Sequence, residues 1–318
     1  MKSVFVAELQ DGDDLLNEPF LIDDVVRRET KDGRPYLLTT FRDKSGQISG
    51  VFWNVPDDIE SWVQQGLVTL VTGRVRNYRN SLQITATDLN PQLETDMSLF
   101  LPTSRRPLDE MIVALDEAID ELSQPWQRLI RQVLREPEIY DLYIKAPAAR
   151  LMHHANIGGL LEHTLSMLEI ARFLAGFYPY VNKDLLFAGV LLHDLGKALE
   201  YDTSTAFNFT EDGRLVGHIV RTAVMVEVAA VELGDIGEED LRDLIHLILS
   251  HHGHLKWGSP VEPKTIEAVL LHQIDLLDSR VEGFINHVRN DPSAGPWTSK
   301  QSYMFGTELR RPPNLDSG

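Results

Sequence analysis

The sequence predicts a two-domain protein, an N-terminal β-barrel followed by an all-α domain. Alternating apolar residues, which are typical of strands, run from about residue 18 to residue 86 with one helical interruption. This pattern stops before a polar, proline-containing linker at 98–107, after which amphipathic helices follow. All 11 histidines lie from His153 onward. We therefore predict a barrel over 1–97, a helical domain over 108–291 and an irregular C-terminal tail over 292–318.

Composition excludes several classes of protein. The 318 residues carry a formal net charge of −18, which argues against a broad basic surface that binds nucleic acid by counterion release. The charge does not exclude a nuclease with metal ions in its cleft, because bound cations add positive charge that the formal net charge omits. There are no cysteines, so thiolate metal sites are excluded. Because no apolar stretch approaches the roughly 20 residues of a membrane span, we predict a cytoplasmic protein without a membrane partner.

The order of elements in the first segment is that of an OB-fold barrel. We predict three strands, a short helix to about residue 65, and two further strands, with the strands at 18–29, 36–41, 48–55, 68–75 and 81–86. Leu89-Asn90-Pro91 is predicted to begin the irregular region that leads into the linker.

Such a barrel often holds single-stranded nucleic acid on one face and its loops. Aromatic side chains would stack on bases and arginines would contact phosphates. The candidate contacts are Tyr36, Phe41, Trp53, Arg76, Tyr78 and Arg79, with Arg34, Arg42 and Arg74 as further arginines. Because residues 1–97 contain 10 Lys and Arg against 16 Asp and Glu, protein contact or plain scaffolding remains the alternative. Strand alternation also places about half of the aromatic residues in the core.

The helical segment carries a set of metal-ligating residue types. Helices are predicted at 108–122, from 125, and at 160–177, 184–196, 217–233, 239–251 and 263–289, with a turn or hairpin at 208–214. Five of these elements each offer one or two ligands: His163, His193-Asp194, His218, His251-His252 and Asp275. A lone histidine among apolar residues is usually a hydrogen-bonded core residue. The set as a whole predicts a metal site inside a helical bundle.

These residues resemble the HD superfamily of metal-dependent phosphohydrolases. The segments 158–165, 193–197, 250–260 and 275–279 further resemble bacterial 3′-to-5′ exoribonucleases of the YhaM type, which also place an OB-fold ahead of the HD domain. The Gly-Tyr-Pro sequence of cyclic-di-nucleotide members is absent after His252, where the chain reads Gly253-His254-Leu255.

The resemblance implies a pair of divalent ions that share Asp194. One ion would be held by His163, His193 and Asp275, and the other by His218 with His251 or His252; the choice between these two stays open. Mn²⁺ is favoured, with Mg²⁺, Co²⁺ and Fe²⁺ as alternatives, because the ligands are all imidazoles and carboxylates. Lys197, one turn after Asp194, is predicted to contact a phosphate oxygen during catalysis. Arg221 is a second phosphate candidate, with an ordinary surface arginine as the alternative.

The predicted function is a metal-dependent 3′-to-5′ exoribonuclease that hydrolyses phosphodiester bonds with a metal-activated water. Its partner would be single-stranded RNA or single-stranded DNA, and a homo-oligomer is left open. One alternative is an HD hydrolase of nucleotides or cyclic nucleotides. The other is a non-catalytic nucleic-acid-binding scaffold.

Overall fold

Two units make up the chain in the computed structural model; the described residues Asp202 and Asn208 group with the first unit, and the main division falls between Thr103 and Ser104. This point lies inside the predicted linker, 98–107. The structure describes residues 2–79, 81–92, 95–104, 106–149, 154–202, 208–291, 293 and 295–314. Pro292, at which the tail was predicted to begin, lies outside these residues. No helix in the described ranges has both the length and the apolar character needed to span a bilayer.

The first unit is a closed five-stranded barrel with the strand order β1-β2-β3-β5-β4. Its elements are β1 (Asp14–Glu29), β2 (Pro35–Asp43), β3 (Gly46–Trp53), α1 (Asp57–Trp62), β4 (Val68–Tyr78) and β5 (Ser81–Pro91). Neighbouring strands are antiparallel except β3 and β5, which pair in parallel. The predicted OB-fold order of three strands, a helix and two strands is confirmed.

The strands are longer than the sequence pattern indicated. The prediction that Leu89 to Pro91 is irregular is wrong, because these residues continue β5 and pair with Val71 to Thr69 of β4. Leu89 is buried in the barrel core, which explains why the strand continues through a polar sequence. Apolar side chains from all five strands fill that core.

The second unit is helical. Its helices are α2 (Leu108–Asp120), α3 (Trp126–Val133), α4 (Pro137–Lys145), α5 (Gly159–Phe177), α6 (Lys183–Leu192), α7 (Lys197–Glu200), α8 (Glu211–Leu215), α9 (His218–Leu233), α10 (Glu238–Ser250) and α11 (Ile266–Asn290). A short hairpin of β6 (Tyr201–Asp202) and β7 (Asn208–Phe209) precedes α8. α6 is buried at every position from Leu185 to Leu192.

Three details differ from the predicted helices. Sequence reasoning did not identify α4, a nine-residue helix with Pro137 at its first position. The segment predicted as a turn at 208–214 contains the helix α8. The helix predicted over 184–196 ends at Leu192, so that His193 and Asp194 lie in a turn before α7. The His193 amide still donates to the Gly189 carbonyl at 2.8 Å, and both side chains are buried at this end of α6.

The C-terminal segment packs on α11 without a helix or strand of its own in its described part. Asp291 accepts hydrogen bonds from the backbone amides of Ser293 (3.0 Å) and Ser299 (2.9 Å). The Arg311 guanidinium donates to the Val288 carbonyl at 2.8 Å. These contacts fasten the segment to the end of α11.

Candidate metal centre

The candidate ligands are presented by the ends of three helices and the bodies of two others. His193 follows the last residue of α6 and His251 follows the last residue of α10, while His218 is the first residue of α9. His163 lies in the second turn of α5, and Asp275 lies in the middle of α11. The helices pack so that these five positions face one buried point of the helical unit.

Asp194 lies at the centre of the cluster. One of its carboxylate oxygens, Oδ1, is 3.4 Å from Nε2 of His218 and 3.4 Å from Nε2 of His251. The other, Oδ2, is 3.2 Å from Nε2 of His193. Because the carboxylate is only 3% exposed, it is isolated from bulk water.

The remaining candidates complete two groups around this carboxylate. Within each group the ligand atoms lie within 4.8 Å of one another, and the groups are His163, His193 and Asp275 on one side and His218, His251 and His252 on the other. The structure therefore brings together all seven predicted ligands. Both His251 and His252 belong to the second group, so this grouping leaves both as candidate ligands.

Two of the histidines are oriented by carboxylates that sequence reasoning missed. Asp278 accepts a hydrogen bond from Nδ1 of His163 at 2.7 Å, and Glu200 accepts one from Nδ1 of His218 at 3.0 Å. Asp278 lies one turn after Asp275 on α11, a spacing that could have indicated a second inward-facing acid. Glu200 has no comparable signal, because it is 18 residues from its partner.

Backbone carbonyls orient the other three rings in the same way. The Nδ1 acceptors are Val190 for His193 at 2.9 Å, Ile248 for His251 at 2.7 Å and Trp257 for His252 at 2.9 Å. A carbonyl oxygen only accepts, so each of these Nδ1 atoms must carry the proton. In the neutral ring, Nε2 then holds the lone pair. Metal-ligating histidines are oriented by this kind of outer hydrogen bond.

The donor atoms fit a divalent cation. Within the described ranges, no hydrogen bond reaches the buried Nε2 atoms of His193, His218 and His251 or the Oδ1 atom of Asp194. A buried polar atom without a partner costs about 1–3 kcal/mol. A cation between these atoms would remove that cost, and their nitrogen and oxygen chemistry suits Mn²⁺, Fe²⁺ or Co²⁺.

Burial and neighbouring charges set the protonation of the cluster. Burial, with the adjacent His251 and His218, lowers the pKa of His252 to about 3, so that its ring is neutral at pH 7. Burial also favours the neutral form of Asp194, but the ammonium group of Lys197 and the nearby His193 hold its pKa well below the usual range. Although burial disfavours the charged form of His163 as well, Asp275 and Asp278 raise its pKa to about 9. The negative charge with which Asp275 and Asp278 stabilise a protonated His163 would equally attract a metal cation.

Lys197 is part of the cluster, whereas Arg221 is engaged elsewhere. The Lys197 ammonium is 7% exposed and lies 2.6 Å from Oδ2 of Asp194. Arg221 donates from Nε to the Asp212 carboxylate at 2.9 Å, and a second guanidinium nitrogen also contacts that carboxylate. The structure thus places Lys197 at the centre and pairs Arg221 with Asp212.

A further histidine extends the network behind His163. His154 lies 3.1 Å from Asp278 through Nε2 and 3.3 Å from Glu162 through Nδ1. Ser166 donates a short hydrogen bond to the second oxygen of Asp278. His154, Glu162 and Ser166 thereby fix the carboxylate that orients His163.

In the barrel unit, the prediction that Phe41 contacts nucleic acid is wrong. Phe41 is fully buried against Phe20, with ring centroids 6.1 Å apart. Side chains alternate along β2, so Phe41 points inward with Leu37 while Tyr36 points to the other face. A Cβ atom on Gly50 would lie 2.4 Å from the Phe41 ring, which leaves glycine as the residue that fits there.

The other predicted aromatic contacts lie on the outer surface at two separate places. Tyr36 stacks on Trp53 with centroids 4.7 Å apart, and Trp53 is 49% exposed. Tyr78 is 54% exposed beside Arg79, whose guanidinium carbon is 5.2 Å from the Tyr78 ring centroid. Arg76 is exposed on the same strand as Tyr78.

Strand register separates these two places. Phe52, the neighbour of Trp53, pairs with Ala86 in the middle of β5, whereas Tyr78 pairs with Ser81 at the start of β5. Five residues of strand span about 16 Å. The structure therefore does not bring the predicted contacts into one patch, and it places one beside the start of β5 and the other beside its middle.

Two known families match the chain. The family described as OB-fold nucleic acid binding domain matches residues 22–92, and the family described as HD domain matches residues 160–280. A solved structure, the second OB-fold domain of replication protein A from Methanococcus maripaludis, covers 30% of this chain and 99% of its own at 22% identity. Its TM-score is 0.23.

Curated relatives cover most of the chain. A protein of Geobacillus sp. strain WCH70 named 3′-5′ exoribonuclease YhaM is 38% identical over 266 residues, which are 82% of this chain and 81% of the relative. A protein of Listeria innocua serovar 6a with the same name is 38% identical over 296 residues, 91% of this chain and 92% of the relative. With an N-terminal barrel, a helical unit and a buried cluster of histidines and aspartates, the chain belongs to the YhaM family of OB-fold and HD-domain proteins.

Proposed function

We propose that this protein is a metal-dependent 3′-to-5′ exoribonuclease. The observation that carries the proposal is the convergence of buried imidazole Nε2 atoms on the shared carboxylate of Asp194, in a chain whose relatives are named exoribonucleases. Single-stranded RNA is the proposed substrate, and single-stranded DNA is a second substrate to be tested.

The proposed metal ligands are the six residues of the two groups together with Asp194: His163, His193, Asp194, His218, His251, His252 and Asp275. Two ions, with Mn²⁺ favoured, would polarise a phosphoryl oxygen and make a bound water more acidic. The outer hydrogen bonds to Nδ1 hold the rings in position, so that the ligands need little rearrangement when a cation enters.

Lys197 is proposed to bind the substrate as well as to neutralise Asp194. Its ammonium carries three donors. One of them is directed to Asp194 Oδ2 at 2.6 Å. The others are available in this proposal for a phosphate oxygen of the strand, and the positive charge then stabilises the negative charge that develops during displacement.

The barrel is proposed to hold the strand outside the metal centre. Trp53, stacked on Tyr36, offers an exposed aromatic face for a base, and Tyr78 with Arg76 and Arg79 offers a second contact. The separation of these two places suits an extended strand better than a single nucleotide.

The test is incubation of the purified protein with Mn²⁺ and 5′-labelled single-stranded RNA. We expect a ladder that shortens with time, and immediate release of labelled mononucleotide when the label is at the 3′ end. EDTA and the Asp194→Asn variant should each reduce the rate by more than about a hundredfold, because both remove the shared metal site. Asp235→Asn, which removes a surface partner of Arg128, is the matched control.

Other results would contradict the proposal. Internal cleavage or shortening from the 5′ end would exclude 3′-to-5′ polarity. Hydrolysis of free nucleotides or cyclic nucleotides without any shortening of RNA would favour the alternative HD hydrolase. A parallel incubation with single-stranded DNA of the same sequence decides whether the 2′-hydroxyl is required.

A further inference from the structure

The loop that follows His251 and His252 displays an exposed indole beside the metal centre. Its central turn is a 3-10 helix, Leu255–Trp257. The Trp257 side chain is 46% exposed, although tryptophan usually buries its large apolar ring. This ring makes none of the hydrogen bonds that orient the candidate ligands in the described residues, and its exposure therefore requires another explanation.

Hydrogen bonds fix the loop to the ligand that precedes it. The Trp257 carbonyl accepts from Nδ1 of His252 at 2.9 Å. The Trp257 amide donates to the His254 carbonyl at 2.9 Å, and the Gly258 amide donates to the Leu255 carbonyl at 3.1 Å. The backbone of Trp257 is thus one hydrogen bond away from a candidate ligand, and its ring lies beside the rings of His254 and His272, with centroids 4.5 and 6.1 Å away.

Gly253 permits this course of the chain. It adopts a φ of +80°, and a Cβ atom at this position would lie 2.2 Å from the His272 ring. Nδ1 of His272 in turn donates to the His251 carbonyl at 2.9 Å. The loop therefore packs directly on α11 immediately after the two ligands.

The side chains around the indole leave room for a ligand and provide positive charge. The His254 ring meets it edge to face, with centroids 4.5 Å apart and an interplanar angle of 85°. The Lys256 ammonium lies 5.6 Å from the indole centroid. An exposed aromatic ring next to an ammonium group is the combination with which proteins bind a nucleobase and its phosphate.

The hydrogen bond that Trp257 makes to His252 does not explain why the indole ring is exposed. The hydrogen bond to His252 comes from the Trp257 backbone carbonyl, which any residue at this position would supply. Substitution of the Trp257 side chain therefore separates the orientation of His252 from the stacking of a base. An alanine keeps the carbonyl and removes the stacking surface.

We propose that Trp257 and Lys256 form a nucleotide subsite at the metal centre. The indole stacks on the base of one of the two nucleotides that flank the scissile bond, and the ammonium group contacts a neighbouring phosphate. This inference rests on the proposed function and names the residues that hold the end of the strand. Stacking involves the face of the base, so the subsite accepts all four bases.

The kinetic test compares Trp257→Ala and Trp257→Phe with the full-length wild type on short single-stranded RNA with Mn²⁺. We expect the KM of Trp257→Ala to rise about 5- to 150-fold with little change in kcat, and that of Trp257→Phe to rise less because a smaller ring remains. Trp297→Phe is the matched control, because Trp297 is similarly exposed at 53% but lies in the C-terminal segment. An unchanged KM in Trp257→Ala would overturn the subsite and leave the proposed function standing.

A binding measurement tests the subsite without turnover. Adenosine 5′-monophosphate should quench the tryptophan fluorescence of the wild type, whereas ribose 5-phosphate, which lacks a base, should not. The titration uses Mg²⁺ because paramagnetic Mn²⁺ itself quenches indole. Because Trp53 is a second proposed base contact, the titration is repeated in a Trp53→Phe background. In that background the quench should disappear in Trp257→Phe and persist in Trp297→Phe; a quench that persists in Trp257→Phe would overturn the subsite.

The experiments can reject the proposed function and the nucleotide subsite independently of each other. If the wild type shortens no RNA, the proposed function fails, and the nucleotide titration still decides the subsite. If Trp257→Ala does not fold, as judged by its thermal unfolding, the Trp257→Phe titration decides instead.

Discussion

At the scale of single residues, the metal centre depends on a close approach of two backbones at Gly196. A Cβ atom on Gly196 would lie 2.4 Å from the His218 carbonyl oxygen and 2.9 Å from Thr222 Oγ1. The Gly196 amide donates to this Thr222 hydroxyl at 2.8 Å. Because Asp194 and His218 are both candidate ligands, the distance between them is set by the absence of a side chain here.

We therefore expect Gly196→Ala to push α9 away from the turn that carries Asp194. The cost of overpacking is about 1–3 kcal/mol in the free energy of unfolding, and the affinity for Mn²⁺ should fall. Gly176→Ala is the control, because no atom lies within 4 Å of a Cβ at Gly176. That substitution should stabilise the protein by about 0.4–1 kcal/mol. Equal Mn²⁺ affinity in the two variants, measured by calorimetry, would contradict the importance of this contact.

At the scale of secondary-structure elements, α11 contributes to the centre twice. Asp275 faces the cluster and lies 3.4 Å from Nε2 of His163, while Asp278, one turn later, holds Nδ1 of the same ring at 2.7 Å. One helix thus supplies both a proposed ligand and the carboxylate that orients another ligand. Rotation of α11 would disturb both at once.

Asp278→Asn should weaken Mn²⁺ binding by about 10- to 100-fold, because the orienting carboxylate is replaced by a neutral amide. Glu282→Gln, one turn further along α11, should bind Mn²⁺ like the wild type. The measurement is the Mn²⁺ dissociation constant from calorimetry, with thermal unfolding as a check on the fold. A variant that binds Mn²⁺ normally would show that Asp278 does not position His163.

The stabilising contribution of Asp291, at the end of α11, is expected to depend on pH. Hydrogen bonds from the Ser293 hydroxyl and from the Ser293 and Ser299 amides hold the pKa of Asp291 well below its usual range. A carboxyl whose pKa is lower in the folded state stabilises the fold above its unfolded pKa of about 3.9 and loses this contribution as the pH falls. Asp291→Asn should therefore lower the thermal midpoint at pH 7, and the difference from the wild type should shrink below about pH 4. A difference that is constant with pH would contradict this account.

At the scale of the whole molecule, the chain pairs a barrel with a helical unit that contains the metal ligands. The barrel's inner and outer residues have separate roles. Phe41 fills the core, whereas Trp53 and Tyr36 form an exposed stack on the surface. Substitutions at these positions should therefore affect different properties.

Phe41→Ala should lower the stability of the protein by about 3–5 kcal/mol through the cavity it leaves. Trp53→Ala should change stability much less and should raise the KM for long single-stranded RNA. Its rate on a dinucleotide should stay near that of the wild type, because a dinucleotide bound at the metal centre leaves no further nucleotide for the barrel to hold. An equal loss on both substrates would assign the barrel a structural role only.

Sequence reasoning reached the barrel, the helical unit and the convergence of the seven residues. It succeeded because strand and helix periods differ, and because histidines at the ends of apolar helices are uncommon. It did not reach Glu200 or His154, whose roles depend on contacts between elements. It also misplaced Phe41, because alternation predicts that half of the aromatic residues are buried without giving which half. The continuation of β5 through Leu89 and Pro91 depends on pairing with β4, which a local polar pattern does not reveal.

The central claim is that these side chains hold metal ions, and anomalous diffraction at the manganese edge from crystals grown with Mn²⁺ tests it most directly. We predict two peaks on either side of the Asp194 carboxylate, one coordinated by His163, His193 and Asp275 and the other by His218, His251 and His252. The Asp194→Asn crystal should lose at least one of them. Crystals of active wild-type protein with no anomalous peak among these residues, or with the only peaks elsewhere, would contradict the account.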